Sequence, residues 1–153
     1  MTRIYLDNCC LSRLFDESEQ DRIRSEAEAI RAIFDLIRAD QVTWVSSEAL
    51  ADECGQNSDL DIRLLSESLL THVGVEVNLD SYGLAKVEKL ELAGMGFYDA
   101  VHLVSAAKGH CEALLTTDDK FIKKAARMNA ALDIDVVVMN PVDWVRRRNH
   151  DNT

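Results

Sequence analysis

Proline is nearly missing from this chain, with Pro141 the only one. No stretch approaches the roughly 20 consecutive apolar residues that a membrane span requires, so a spanning helix is not expected. The N-terminal MTRIYLD passes directly into a strand-like run and lacks the long apolar segment of a secretory signal, which makes a cytoplasmic protein the expectation. None of the four cysteines lies in a CxxC or Cys/His spacing, so no zinc motif is present. Cys9 and Cys10 are adjacent while Cys54 and Cys111 stand alone, and all four are expected as reduced, buried small side chains. There is no internal repeat, low-complexity stretch or linker.

Positive charge is also scarce. Seventeen Lys and Arg face 27 Asp and Glu, a net charge of −10, which opposes a nucleic-acid partner because phosphate binding relies on basic side chains. The basic residues are unevenly placed, however. Lys120, Lys123, Lys124 and Arg127 share one segment, and Arg146, Arg147 and Arg148 lie near the C-terminus. Such runs serve either as solvated helix faces or as local patches that steer a polyanion.

What the chain does contain is 47% hydrophobic and 29% charged residues over 153 positions, enough for one well-formed core. A single domain is expected over residues 1–148, with 149–153 as a loose tail. Arg3–Leu6, Val42–Val45, Val73–Val77, Ala113–Thr116 and Asp135–Met139 read as short buried strands. Helical patterns lie between them. Ile23, Ala27, Ile30, Phe34 and Ile37 define an amphipathic helix from about Asp21 to Ala39. Ser47–Cys54 and Ile62–Thr71 are shorter helices, and Asp80 or Ser81 caps one that runs to about Leu92. Phe97–Lys108 closes at Gly109, Asp118 or Asp119 opens the next helix through Met128, and Pro141 suits the first turn of the last. This alternation predicts a three-layer α/β/α sandwich around a mostly parallel sheet.

The acids are the informative residues. Asp7 follows the first strand and Asp118-Asp119 the fourth, so both are delivered to the carboxyl edge of the sheet, where open α/β sheets bind ligands. Asp99 lies early in the Phe97 helix. Glu48, Asp52 and Glu53 lie on the helix after the second strand, where neighbouring side chains diverge by about 100°, so Asp52 and Glu53 cannot both face one point. Singly, each acid also serves as a helix cap or a turn residue. Converging carboxylates must be neutralised, most simply by a divalent cation. A metal-dependent phosphodiester enzyme is the leading reading of the residues alone.

YLDNCCLSRLFD, then WVSSEALADE, GFYDAVHLVSAA and LLTTDDKF, in that order and spacing, resemble the PIN-domain family, including VapC-type toxin nucleases. The likeness runs from Arg3 to the closing PVDWV. The resemblance implies an endoribonuclease that cleaves single-stranded RNA with Mg²⁺ or Mn²⁺, as one ion or two about 4 Å apart. Asp7, Asp99 and Asp118 match the family's first, third and fourth acids. Glu53 fits the second best, with Asp52 and Glu48 as alternatives. Thr116 or Thr117 matches a Ser or Thr placed after the fourth strand, the Asn8 amide can orient Asp7, and Arg13, Lys120 and Lys123 are candidates for flanking phosphates. A cognate antitoxin and a homodimer are also implied, and the apolar first long helix offers a dimer surface.

His102, one turn beyond Asp99, is expected on the core side of its helix or bonded to a neighbouring strand. His72 and His110 are expected at the surface, and Trp44, Trp144, Tyr5 and Tyr98 as packing aromatics. Two other classes compete. An aspartyl-phosphate phosphohydrolase would want a second Asp two residues after the first, where this chain has Cys9. A PIN-like binding module with little catalysis would suit the net charge of −10.

Overall fold

The computed structural model describes residues 1–152. Five strands, β1 (Thr2–Leu6), β2 (Val42–Ser47), β3 (Val75–Val77), β4 (Ala113–Leu115) and β5 (Val137–Met139), form one sheet in the order β3-β2-β1-β4-β5. All four pairings are parallel. The helices are α1 (Asn8–Arg13), α2 (Asp21–Arg38), α3 (Glu48–Gly55), α4 (Leu60–Leu69), α5 (Ser81–Leu92), α6 (Phe97–Lys108), α7 (Asp119–Asn129) and α8 (Pro141–Asp151).

Side chains alternate across a strand, and β1 shows the consequence. Tyr5 enters a core shared with α5, α6 and α7, whereas Ile4 and Leu6 enter a second core with α1, α2 and α8. Both faces are covered, which gives the α/β/α sandwich expected of a buried parallel sheet. The order of strands reverses direction at β1, since β2 and β3 lie on one side of it and β4 and β5 on the other. The carboxyl ends of β1 and β4 therefore flank the switch point where such sheets bind ligands.

Four details differ from the sequence reading. Residues 8–13 form α1, a short helix carrying both adjacent cysteines and no clear apolar period. The third strand starts at Val75 because the chain first makes a 3₁₀ turn over Leu70–His72. α8 continues to Asp151, so residues 149–151, expected as a loose tail, are helical, and Thr153 lies outside the described residues. The apolar stripe of α2, offered above as a dimer surface, is spent inside the chain: Ala27, Ile30, Ile33, Phe34 and Ile37 are all buried. Among the described residues no helix is long and apolar enough to cross a membrane.

Candidate metal centre

β1 ends by delivering Asp7, which is 6% exposed. Its backbone N–H donates to the Leu115 carbonyl at 3.0 Å, extending the β1–β4 pairing by one step. Its side chain then caps α1, with Oδ1 accepting from the Asn8 backbone N–H at 2.7 Å. The Asn8 amide side chain does not do this. Its Oδ1 instead accepts from the Cys54 thiol at 3.2 Å. Asp7 Oδ2 accepts from Thr116 Oγ1 at 2.9 Å, and the same hydroxyl accepts the Asp118 backbone N–H at 3.1 Å. Of the two threonines after β4, Thr116 is therefore the one bound to Asp7. Thr117 Oγ1 accepts from Arg13 Nη2 at 3.3 Å.

Glu53 stands across from Asp7. One Oε lies 2.9 Å from His102 Nε2, and the same nitrogen is 3.8 Å from Asp7 Oδ1. Ligand atoms of Asp7, Glu53 and His102 all lie within 4.8 Å of one another. Glu48 and Asp52, the alternatives on α3, are exposed. Asp52 and Glu48 line a separate groove with Phe97 and Tyr98.

Asp99 and Asp118 complete the acidic surround without joining that tight group. Burial pushes the Asp99 carboxyl up to about 6, and the charges of Asp7 and Asp118 add to the rise while His102 opposes it. Asp7 is likewise raised, first by burial, against the pull of His102. Asp118 is exposed and caps α7, its Oδ1 accepting the Lys120 and Phe121 backbone N–H groups at 3.0 and 3.3 Å. Asp119 points elsewhere, into a pair with Arg22.

This donor set fits a divalent cation. Carboxylate oxygens dominate it, and burial, with the neighbouring acids adding to it, disfavours the ionised form of Asp7 and Asp99 in the absence of a cation. His102, expected on the core side or bonded to a neighbouring strand, is fully buried and bonded to Tyr5 of β1, but it also reaches the acids. His72 and His110 are exposed.

Two features lie outside the sequence reading. Cys9 is half-buried beside the acids, its Sγ 3.5 Å from Asp7 Oδ2 and 3.2 Å from Thr116 Oγ1. Glu26 of α2 is 1% exposed and holds two arginines at the rim of the site. Arg13 Nε approaches it at 3.2 Å and Arg22 Nε at 3.3 Å, and Asn140 Nδ2 donates to it at 2.6 Å. The i,i+4 pair with Arg22 is local to α2, but the partners that mark Glu26 as buried beside the site, Arg13 and Asn140, lie on α1 and just before α8. Arg13 reaches the site through Thr117, while Lys120 and Lys123 are exposed on α7.

The sequence matches the PIN domain over residues 4–127, and the chain belongs to that family. Among solved structures it is similar to VapBC2 from Rickettsia felis, a structure bound to a DNA fragment from their promoter. The TM-score is 0.57 at 12% identity, with 91% of this chain and 98% of that one covered. It is also similar to VapBC-1 from nontypeable Haemophilus influenzae, with a TM-score of 0.55 at 16% identity, covering 92% and 98%. At these identities the likeness is one of fold. No curated protein matches the chain in sequence.

Proposed function

We propose that this PIN-domain protein is a metal-dependent endoribonuclease acting on single-stranded RNA, the toxin of a toxin–antitoxin pair. The observation that carries the reading is the group formed by Asp7 and Glu53 at the switch point, with Asp99 pushed up to about 6 by burial and by its acidic neighbours. A protein gains nothing in stability by confining acids this way. The arrangement becomes favourable when Mg²⁺ or Mn²⁺ is present, and hard oxygen donors suit both.

When bound, such an ion would lower the pKa of a water and offset charge on the scissile phosphate. The residues that would hold it are Asp7, Glu53, Asp99 and Asp118. The chain's own contributions can be read from the geometry. Thr116 and the Asn8 backbone N–H fix both oxygens of Asp7. α7 fixes one oxygen of Asp118 through its cap, leaving the other free. Arg13, held at the rim by Glu26, Asp16 and Thr117, is placed to exchange a carboxylate partner for a neighbouring phosphate.

The likeness to VapBC structures supports an antitoxin partner, and an acidic protein suits a basic partner segment. A homodimer cannot use the apolar stripe of α2. Exposed Leu60, Leu64 and Leu65 on α4 offer apolar surface instead. A cytoplasmic setting fits such a system.

The test is cleavage of a mixed single-stranded RNA by the purified protein with Mn²⁺ or Mg²⁺, beside EDTA and Asp99→Asn controls. Cleavage lost in both controls supports the reading. Cleavage that survives Asp99→Asn counts against the assigned site. No cleavage, together with a melting temperature indifferent to metal, favours a binding module.

A further inference from the structure

A chain of buried hydrogen bonds runs from one end of α3 to its functional acid. Ser47 Oγ, at the cap position of α3, lies 2.7 Å from Tyr5 Oη. Tyr5 Oη lies 2.6 Å from His102 Nδ1, and His102 Nε2 lies 2.9 Å from a Glu53 oxygen. Tyr5 and His102 have no exposed surface, and Ser47 is 5% exposed. The Tyr98 ring stacks on the imidazole at 6.2 Å and 21°. The cap residue of α3 and a residue near its end are thus joined through β1 and α6.

With the imidazole neutral, the chemistry of the groups gives the chain one direction. An ionised Glu53 can only accept, so Nε2 must carry a proton. In the neutral ring Nδ1 is then bare and must accept, so Tyr5 donates to it. Tyr5 in turn accepts from Ser47.

We propose that His102 is a positioning residue: held by Tyr5 as the Nε2–H tautomer, it fixes the Glu53 carboxylate beside Asp7. This inference rests on the metal-site reading above and extends it. Partners that orient ligating side chains typically change metal affinity by roughly 10- to 100-fold when removed. The competing role is direct ligation through Nε2. That would require a bare Nε2 and a proton on Nδ1 donated to Tyr5, the reverse of the direction assigned here.

Three readouts separate the possibilities. In the metal-free protein, ¹⁵N NMR of the imidazole should show the Nε2–H tautomer, with the Nε2 signal altered by Glu53→Gln. An Nδ1–H tautomer overturns the proposal. Mn²⁺ titration should show His102→Ala binding roughly 10- to 100-fold more weakly than wild type. His102→Gln, which retains an N–H near the Nε2 position, should recover most of that loss. Equal affinity in His102→Ala and wild type, or no recovery in His102→Gln, overturns it. On RNA, kcat should fall with KM unchanged.

If His102→Ala fails to fold, Tyr5→Phe carries the test. It removes one hydroxyl, and it should weaken Mn²⁺ binding several-fold with melting cooperative. Unchanged binding overturns the proposal. If wild type neither binds metal nor cleaves RNA, the nuclease reading falls by itself and the tautomer measurement still decides the role of His102.

Discussion

Arg22 holds Asp119 by both oxygens, at 2.8 and 2.9 Å, and so separates two adjacent acids that the sequence could not rank. Asp119 is paired and held below the usual carboxylate range by that guanidinium. Asp118, one residue earlier, keeps an oxygen free. Asp118→Asn is a clean probe, because Asn caps a helix as well as Asp does, so the helix should persist while the charge is lost. We expect Asp118→Asn to abolish metal-dependent cleavage with melting little changed. Asp119→Asn should retain cleavage with a small drop in melting temperature. Loss of cleavage in both variants would reassign the fourth acid to the pair.

The acids also make a prediction about pH in the absence of metal. A carboxyl raised in the folded state binds its proton more tightly there than in the unfolded chain, so its ionisation destabilises the fold. For Asp99 the window runs from its ordinary value of 3.8 to about 6. In EDTA, wild type and Asp99→Asn should melt at similar temperatures near pH 4. The wild type should fall progressively below the variant as pH rises through that window. Comparison with the variant cancels Asp80 and Asp119, whose lowered values act with the opposite sign. Saturating Mn²⁺ should close the gap from the wild-type side, since a ligand at 100 times its Kd stabilises by about 2.7 kcal/mol. A difference that does not vary with pH would remove Asp99 from the electrostatic cluster.

How much of this was legible beforehand depended on whether the information was local. Strand ends are local, so Asp7 and Asp118 could be placed at the carboxyl edge before any fold was known. Helix angles are local, and they showed that Asp52 and Glu53 cannot both face the site, while the preference for Glu53 came from the family resemblance. The direction of His102 was not legible. Every residue from Ala100 to Ala106 on α6 is buried, so the helix has no polar face to orient the reading, and a histidine there looks like any packed ring. Glu26 was hidden for another reason. It sits beside Ala27 on an otherwise ordinary amphipathic stripe, and its partners Arg13 and Asn140 come from distant segments. Cys9 was expected to be buried; it lies two residues from Asp7, and the parallel pairing of β1 with β4 brings it to Thr116.

Glu26 gives a stability prediction with a definite sign. Its carboxylate is buried and serves Arg13, Arg22 and Asn140 together. Glu26→Gln keeps the shape but removes the charge, leaving Asp16 as the carboxylate partner of Arg13 and Asp119 as that of Arg22. Hydrogen bonds to charged groups contribute roughly 1.5–3 kcal/mol each, and partly exposed arginines recover some of that from water. We expect a net loss of about 1–3 kcal/mol, read as a lower urea midpoint at unchanged slope. An unchanged midpoint would mean that solvent replaces the carboxylate without cost. It would also remove the argument that Glu26 braces Arg13 at the rim.

Gly109 tests whether a correct reading rested on the correct cause. The sequence suggested a helix ending at this glycine because glycine tolerates left-handed backbone. The helix does end there, but Gly109 has φ −78°, and the left-handed residue is His110 at φ 57°. What glycine supplies is close approach. A Cβ at 109 would meet Val45 Cγ1 at 2.6 Å and Val77 Cγ2 at 3.2 Å. Both are β-branched core side chains on adjacent strands, with little freedom to move aside. Gly109→Ala should therefore destabilise, although alanine ordinarily favours a helix end at such a φ. Overpacking of this kind typically costs 1–3 kcal/mol, roughly 2–12 °C in melting temperature for a chain of this length. Val45→Ala should partly rescue it by vacating the contact. A neutral Gly109→Ala would return the explanation to backbone conformation, which its φ does not support.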